Sequence, residues 1–582
     1  MCNSSMEDVP PGHRLMPAAV DYRAQHTPDR VFAILPRGGN LEYGFYNLTY
    51  AAFAKAVDAT AWWLDEVLGV KPPATQFDDF PTVPYIGPDD FRYILMMLAA
   101  MKTGRKVMLP FPANTAEGLV NLLNLSKATV VLAPASHKHI WEKPREIKQG
   151  VDFVEVPGPE CFLHDRLVEK YDYARRLPEA AEDPAFLVQT SGTTGYPKPI
   201  DMNSRLLKEY VEDVAVLSRN AKPDKKIAVY ALLEGTTCPN LLPISWAVGL
   251  SMVGSFALFA NTVPILLPQE TAPRPPTPDY IIQMTKHAPK GEKNGLLLTP
   301  DILRHLVRVP EGRESLRRYS WVAYAGAPLD HETGDAITAM GIRVQSFIGS
   351  TDIGVYNILL NEPQDWKIHR FSKDLHGYFL MHYTDDLHEL VVRKQERDPR
   401  HVFVEDPSTD TFHCRDLWRA VPGREEFWMN AGRVDDFVKL FNMTKFNAIA
   451  LEQIVEGHKD VAKCLIAGDA RERPFILVEP AAHIERGPDL LSQMLPAIEK
   501  ANEHLLPEAH LKRDLVLLTD PNRPIVMTGK GTVSRRTTLD LYEEKVEEMY
   551  GSAGFEVVPF KATGEAMGQE VIIYGHANGQ AK

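Results

Sequence analysis

The chain has 582 residues, 44% hydrophobic and 24% charged, an ordinary globular composition. At roughly 100–200 residues per domain it has room for two or more domains around a sizeable core. The net charge of −13 argues against a nucleic-acid partner, because phosphate backbones need a basic surplus, but it leaves room for a local nucleotide pocket.

The five cysteines, Cys2, Cys161, Cys238, Cys414 and Cys464, are odd in number and form no CxxC pair. Zinc and a disulfide framework are therefore not expected, and a reduced cytoplasmic setting is. The start, Met1-Cys-Asn-Ser-Ser-Met, lacks the basic stretch and apolar run of a secretory signal. Apolar stretches such as Ile94 to Ala100 fall short of the ~20 residues of a bilayer span, so no membrane partner is expected.

From Pro28 to about Asn430, helical stretches alternate with short β-rich runs. Tyr50 to Leu68 has helical spacing and stops at Gly69. Phe91 to Met101 is a second helix, closed by Gly104 and followed by a strand at Lys106-Val-Met-Leu-Pro. Leu119 to Leu125 is helical, and Ala128-Thr-Val-Val-Leu-Ala reads as a buried strand. This alternation argues for an α/β architecture with largely parallel sheets. Pro72 to Pro88 and Thr271 to Pro278 read as loops because their prolines interrupt ladders. Val402 to Trp428 reads as short strands separated by Pro407 and Pro422.

After Gly432-Arg-Val-Asp-Asp-Phe-Val-Lys439 a smaller unit begins. It opens with a hairpin-like stretch and a helix near Ala448. Strands are expected at Ala462–Ala467, Phe475–Val478 and Leu515–Leu518, and helices at Leu490–Leu505 and Leu539–Met549. The expected organisation is a large domain over 1–434, a small one over 435–550, and a linker-like tail over 551–582.

The strongest chemical signal is Thr190-Ser-Gly-Thr-Thr-Gly-Tyr-Pro-Lys198, which follows the apolar run Phe186-Leu-Val. Gly192 and Gly195 let the backbone approach an anion closely. Thr190, Ser191, Thr193 and Thr194 add hydroxyl donors, and Lys198 adds a mobile charge. The plain alternative is a polar turn after a strand. A Walker A loop is excluded, since no Gly-x-x-x-x-Gly-Lys-Ser/Thr occurs.

This loop resembles the phosphate-binding motif of the adenylate-forming superfamily of acyl-CoA synthetases, luciferases and nonribosomal-peptide adenylation domains. Further likenesses follow in order from Pro28-Asp29 to Arg535. The resemblance implies an acyl-CoA-synthetase-like fold: a large domain of mixed and parallel sheets with helices, and a small mobile α+β domain. By it, Ala325, Gly326, Ala327 and Pro328 form the adenine-side loop. Phe347-Ile-Gly-Ser-Thr-Asp352 is similar to Tyr-Gly-x-Thr-Glu, which puts Ser350 beside the nucleotide, Thr351 on the α-phosphate and Asp352 on Mg²⁺. Because Asp352 is one methylene shorter than the usual Glu, a water bridge is an alternative; helix capping is another. His413-Cys-Arg-Asp416 resembles Thr-Gly-Asp, with Asp416 accepting from both ribose hydroxyls and Cys-Arg replacing Thr-Gly. Arg433 is expected on ribose or phosphates, and Asp435 at the hinge. Thr528-Gly-Lys530-Gly-Thr-Val-Ser-Arg-Arg resembles the catalytic-lysine motif, so Lys530 bridges carboxylate and α-phosphate. Lys439 is a candidate for the second half-reaction, and Glu452 reads as structural.

The acid pocket implied by the resemblance includes Leu242, Trp246, Phe347 and Gly349, although an aromatic such as Trp246 at helical spacing also suits the core. Amino-acid-activating relatives carry Asp at the place of Leu242, and a buried ammonium without such a partner costs too much. An aryl or other non-amino carboxylate is therefore expected. Within the superfamily the likeness is greatest to adenylation domains of fungal nonribosomal-peptide-synthetase-like carboxylate reductases. It implies ATP and Mg²⁺, a pantetheine thiol as acceptor, and downstream carrier and reductase domains. A free-standing acyl-CoA ligase and a silent adenylate-binding protein are the alternatives.

Overall fold

In the computed structural model the described residues are 9–71, 80–163, 167–190, 196–203, 220–269, 276–372, 377–396, 398, 400–442, 444–484, 489–527 and 533–555. They form two compact units that meet in the sequence between Asp435 and Asp436.

The helices of the large unit form where caps and buried faces coincide. Tyr50–Leu68 starts on Thr49, whose side chain accepts from the Ala52 N–H, and stops at Gly69 with φ +77°. Arg92–Lys102 is buried along its whole length, which fits its nearly unbroken apolar sequence. Ala116–Leu125 is capped by Thr115. Tyr50–Leu68 packs on Arg92–Lys102, and Arg92–Lys102 and Ala116–Leu125 pack on a sheet in which Thr82–Pro84, Lys106–Met108 and Pro184–Thr190 run parallel and Lys198–Asn203 closes the edge antiparallel.

A second sheet has the order Phe45–Thr49, Val31–Pro36, Val263–Ile265, Thr237–Pro239. A third is parallel, with Gly295–Leu298, Trp321–Tyr324 and Arg343–Ser346 in register. A fourth is antiparallel: Ile368–His369, Trp428–Arg433, Thr411–Ala420, Leu387–Arg393, Tyr378–Thr384. The α/β class read from the sequence is the class observed.

The small unit begins with the hairpin Phe437–Lys439/Lys445–Asn447. Helices Ala448–Glu456, Leu490–Asn502 and Arg535–Ser552 accompany a sheet of Val461–Ala467, Phe475–Pro480 and Val516–Leu518. Glu452 has the structural role read for it: it is buried and accepts from the Ile466 N–H and the Arg535 guanidinium, each at 2.6 Å.

Some expectations need correction. The stretch read as a proline-rich loop contains the strand Thr82–Pro84, held by parallel pairing to Lys106–Met108 and bounded by prolines where a ladder tolerates them. Val402 to Glu405 lies in a helix, His401–Glu405, because burying Phe403 overrides the strand preference of the valines. The chain then runs into one ten-residue strand, Thr411–Ala420, in place of the short strands expected. The last helix starts at Arg535 and runs to Ser552, longer at both ends than its apolar pattern suggested.

Candidate active site

The segment expected to cradle phosphate, Thr190 to Lys198, joins the two strands of an antiparallel hairpin. Pro184–Thr190 is almost wholly buried, and its register sets Thr190 opposite Lys198. Ser191 to Gly195 lie outside the described residues. Thr190 is half-buried, and Lys198 is exposed at the other mouth of the hairpin. The root of the loop is pinned by residues that sequence reasoning missed. Gln189 Oε1 accepts from the Phe111 N–H (3.1 Å) and Asn114 Nδ2 (2.7 Å), while Gln189 Nε2 donates to Asn114 Oδ1 (2.9 Å). Asn121 Nδ2 donates to the Pro197 carbonyl at 3.0 Å. A polar residue at the buried end of an apolar strand was the available signal. Three residues beyond Lys198, the Asp201 carboxyl has its Oδ1 buried without a hydrogen-bond partner among the described residues. Burial pushes this carboxyl up to about 7, with the charge of Lys106 pulling the other way.

Two further segments leave the carboxyl ends of neighbouring parallel strands, the usual place for a ligand crevice in an open α/β sheet. Ala325–Pro328 follows Trp321–Tyr324. Its outer residues are exposed, and Gly326 has φ +91°, a conformation that side chains resist. Asp330 then caps the next helix by accepting from the Thr333 N–H. The adjacent strand, Arg343–Ser346, leads into Phe347, whose N–H donates to the Tyr324 carbonyl at 2.8 Å, so the two loops start side by side.

A tight hairpin pairs Gly349 with Val355 and Ser350 with Gly354, leaving Thr351, Asp352 and Ile353 at its tip. A Cβ on Gly349 would lie 2.5 Å from the Gly354 carbonyl, so the turn tolerates only glycine there. Thr351 and Asp352 are half-buried, and the Ser350 hydroxyl is buried without a hydrogen-bond partner among the described residues. His401 lies 3.1 Å from Glu405, and burial holds its imidazole below the ordinary value against the pull of Glu405 and Asp352.

Asp416 is buried on the antiparallel sheet, directly opposite Arg433 in the register. Arg433 Nη1 donates to Asp416 Oδ1 at 2.8 Å, and the Tyr356 hydroxyl donates to Asp416 Oδ2 at 2.6 Å. Burial pushes the carboxyl up, and Arg433 opposes the shift. Just before it the strand bulges: Arg415 has φ +62°, its N–H donates to Glu389 Oε1 at 3.0 Å, and His413 Nδ1 lies 2.9 Å from Glu389 Oε2. The position that is glycine in the Thr-Gly-Asp pattern is thus a left-handed one, here occupied by arginine. Asp435 lies in a short turn, Val434–Asp436, and its side chain is outside the described residues, as is Lys530. Lys439 is exposed at the end of a strand, with its N–H donating to Asp469 Oδ1 at 2.9 Å.

Leu242 and Phe347 are buried in the main apolar cluster, and Phe347 faces Trp321 with ring centres 5.9 Å apart. Trp246 is half-buried at the start of helix Ala247–Val253, its ring 6.4 Å from Phe111. Phe111 therefore lies beside Trp246 with its ring and, through its N–H to Gln189, beside the end of strand Pro184–Thr190. Asp89, also missed, accepts from the Ile244 N–H at 2.8 Å and so clamps the backbone between Leu242 and Trp246.

Known proteins resemble this chain in sequence and fold. The AMP-binding enzyme family matches residues 20–372, and the AMP-binding enzyme C-terminal domain matches 435–554. The chain belongs to the AMP-binding enzyme family. The carboxylic acid reductase of Neurospora crassa is 27% identical over 94% of this chain and 52% of its own length. The adenylate-forming reductase Nps11 of Serpula lacrymans is 23% identical over 93% of this chain and 49% of its own length. The chain thus spans about half the length of these relatives. Among solved structures, the A domain of carboxylic acid reductase from Segniliparus rugosus, in complex with AMP and a co-purified carboxylic acid, aligns with TM-score 0.68 at 15% identity. That alignment covers 93% of this chain and 94% of the other.

The AMP-binding chain is an adenylate-forming ligase domain, with the chemistry of activating a carboxylic acid to an acyl-adenylate. Among its described residues no group of three or more His, Cys, Asp or Glu could hold a metal ion, and no helix is long and apolar enough to cross a membrane. The donors fit Mg²⁺ all the same. This ion keeps several waters and needs only one or two carboxylates beside substrate phosphates, and Asp352 is one half-exposed carboxylate at a hairpin tip.

Proposed function

We propose that this AMP-binding domain activates an aryl or other non-amino carboxylic acid and then passes the acyl group to the pantetheine thiol of a carrier domain, as the first domain of a carboxylate reductase. The observation behind the substrate class is Leu242, an alkyl side chain buried in the apolar cluster at the position where amino-acid-activating relatives carry aspartate. An α-ammonium there would be left without its counter-charge. The likeness to reductases over half their length supports the acceptor.

In this reading the acid's carboxylate attacks the α-phosphorus of ATP, forming the mixed anhydride and releasing pyrophosphate. Thr190 to Lys198, with Ser191, Gly192, Thr193, Thr194 and Gly195, cradle the phosphates. Thr351 contacts the α-phosphate, Ala325–Pro328 and Ser350 flank the adenine, and Asp416 with Arg433 hold the ribose. Asp352 holds Mg²⁺, which neutralises phosphate charge when bound. Lys530 stabilises the charge that develops between carboxylate and α-phosphate. Asp435 is the pivot between half-reactions, and Lys439 serves the second.

Hydroxamate trapping across benzoates, alkanoates and free α-amino acids tests the substrate class. Benzoates or alkanoates should give the signal, and a clear preference for a free α-amino acid overturns the reading. Added coenzyme A should yield little acyl-CoA; efficient turnover would instead identify a free-standing ligase.

A further inference from the structure

The Tyr356 hydroxyl and Asp416 Oδ2 meet at 2.6 Å although sixty residues separate them in the chain. Both side chains are buried, Tyr356 at 2% exposure and Asp416 at 5%. A ring that only filled this core would not need its hydroxyl, because burying a polar group costs free energy unless a partner receives it. Cys414 and Tyr356 share one buried cluster, and the Tyr378 ring packs 5.9 Å from the Tyr356 ring, which leaves the phenol little freedom. Arg433, the other partner of Asp416, has a side chain 44% exposed on a flexible stem and fixes the carboxylate less firmly.

A carboxylate accepting one hydrogen bond on each oxygen keeps a lone pair on each for further donors. With its plane fixed, those two lone pairs match a pair of neighbouring hydroxyls. Tyr356 also directly follows the hairpin that carries Thr351 and Asp352, and its N–H closes that hairpin on the Ile348 carbonyl at 2.9 Å. One residue thus ties the hairpin to the carboxylate.

We propose that Tyr356 is a positioning residue for the nucleotide: its hydroxyl orients the Asp416 carboxylate to receive both ribose hydroxyls. The inference rests on the reading of Asp416 as the ribose acceptor. Titration calorimetry with ATP and with 2′,3′-dideoxy-ATP tests it on wild type, Tyr356→Phe and Asp416→Asn. Tyr356→Phe should weaken ATP binding about tenfold and change dideoxy-ATP binding less than about twofold, the size expected of one charged hydrogen bond. Equal weakening of both nucleotides, or of neither, overturns the inference. If Asp416→Asn keeps the wild-type preference for ATP over dideoxy-ATP, the ribose reading falls and the inference with it. If that preference collapses in Asp416→Asn but survives in Tyr356→Phe, the inference alone falls. Incorporating 3-fluorotyrosine at position 356 preserves the shape and makes the hydroxyl a stronger donor, so the preference for ATP should be at least that of wild type. A weaker preference also overturns it.

Discussion

Asp201 offers a test of the structure through pH. Its carboxyl titrates near 7 in the folded chain against an ordinary value of 3.8, because burial disfavours the charged form more than Lys106 restores it. A carboxyl raised on folding binds its proton in the native state while the unfolded chain has released it. Its contribution to stability is therefore full below about pH 4 and is lost as pH rises through 7. Each pH unit in that interval is worth about 1.4 kcal/mol, so between pH 5 and pH 7 the loss has a ceiling of about 3 kcal/mol. Relaxation around the carboxyl lowers this to about 2 kcal/mol. Asp201→Asn keeps the shape and removes the titration. Urea unfolding of wild type and variant at pH 5 and pH 8 measures the effect as the change in their difference, from which any constant effect of the amide cancels. The variant should gain about 2 kcal/mol on wild type between the two pH values. A difference that does not move with pH would refute the placement of an enclosed, poorly partnered carboxyl on this strand.

Other perturbations test other parts of the molecule. Arg415→Gly should stabilise the chain by about 0.5–1 kcal/mol in the same urea assay, since glycine relieves the left-handed backbone at the cost of some chain entropy; Arg415→Ala should give no gain, and a gain from alanine would contradict the backbone explanation. Glu452→Gln leaves Arg535 with a weaker partner in the small unit and should destabilise that unit by about 2 kcal/mol, allowing for the partial exposure of Arg535. Hydrogen exchange over Val461–Ala467 reads this directly, and unchanged protection there would count against the buried pair. Lys530→Ala should depress adenylation by about a hundredfold or more while thioester formation from supplied acyl-AMP changes much less. Equal loss in both half-reactions would remove Lys530 from the first.

Much of the scaffold was legible because its signals are local. Thr49 and Gly69 bracket a helix that the apolar spacing marks, and the run at Val130–Ala133 is a strand by composition alone. Ordered motifs carried the family in the same way. The features that stayed hidden depend on partners far along the chain. Thr82–Pro84 is a strand only because Lys106–Met108 lies beside it. Tyr356 reads as one more core aromatic until the fold brings Asp416 to its hydroxyl, and Gln189 reads as a strand residue until Phe111 and Asn114 arrive.

The register of the antiparallel sheet gives the ribose reading a mechanical consequence. Asp416 and Arg433 face each other as cross-strand partners, and Tyr356 reaches the same carboxylate, so the group is braced by backbone pairing as well as by side chains. All three residues precede the division of the chain between Asp435 and Asp436. A change of backbone angle at the proposed pivot Asp435 therefore leaves the Tyr356–Asp416–Arg433 group intact. In the proposed reading, an adenylate made in the first half-reaction stays held by its ribose while the second proceeds.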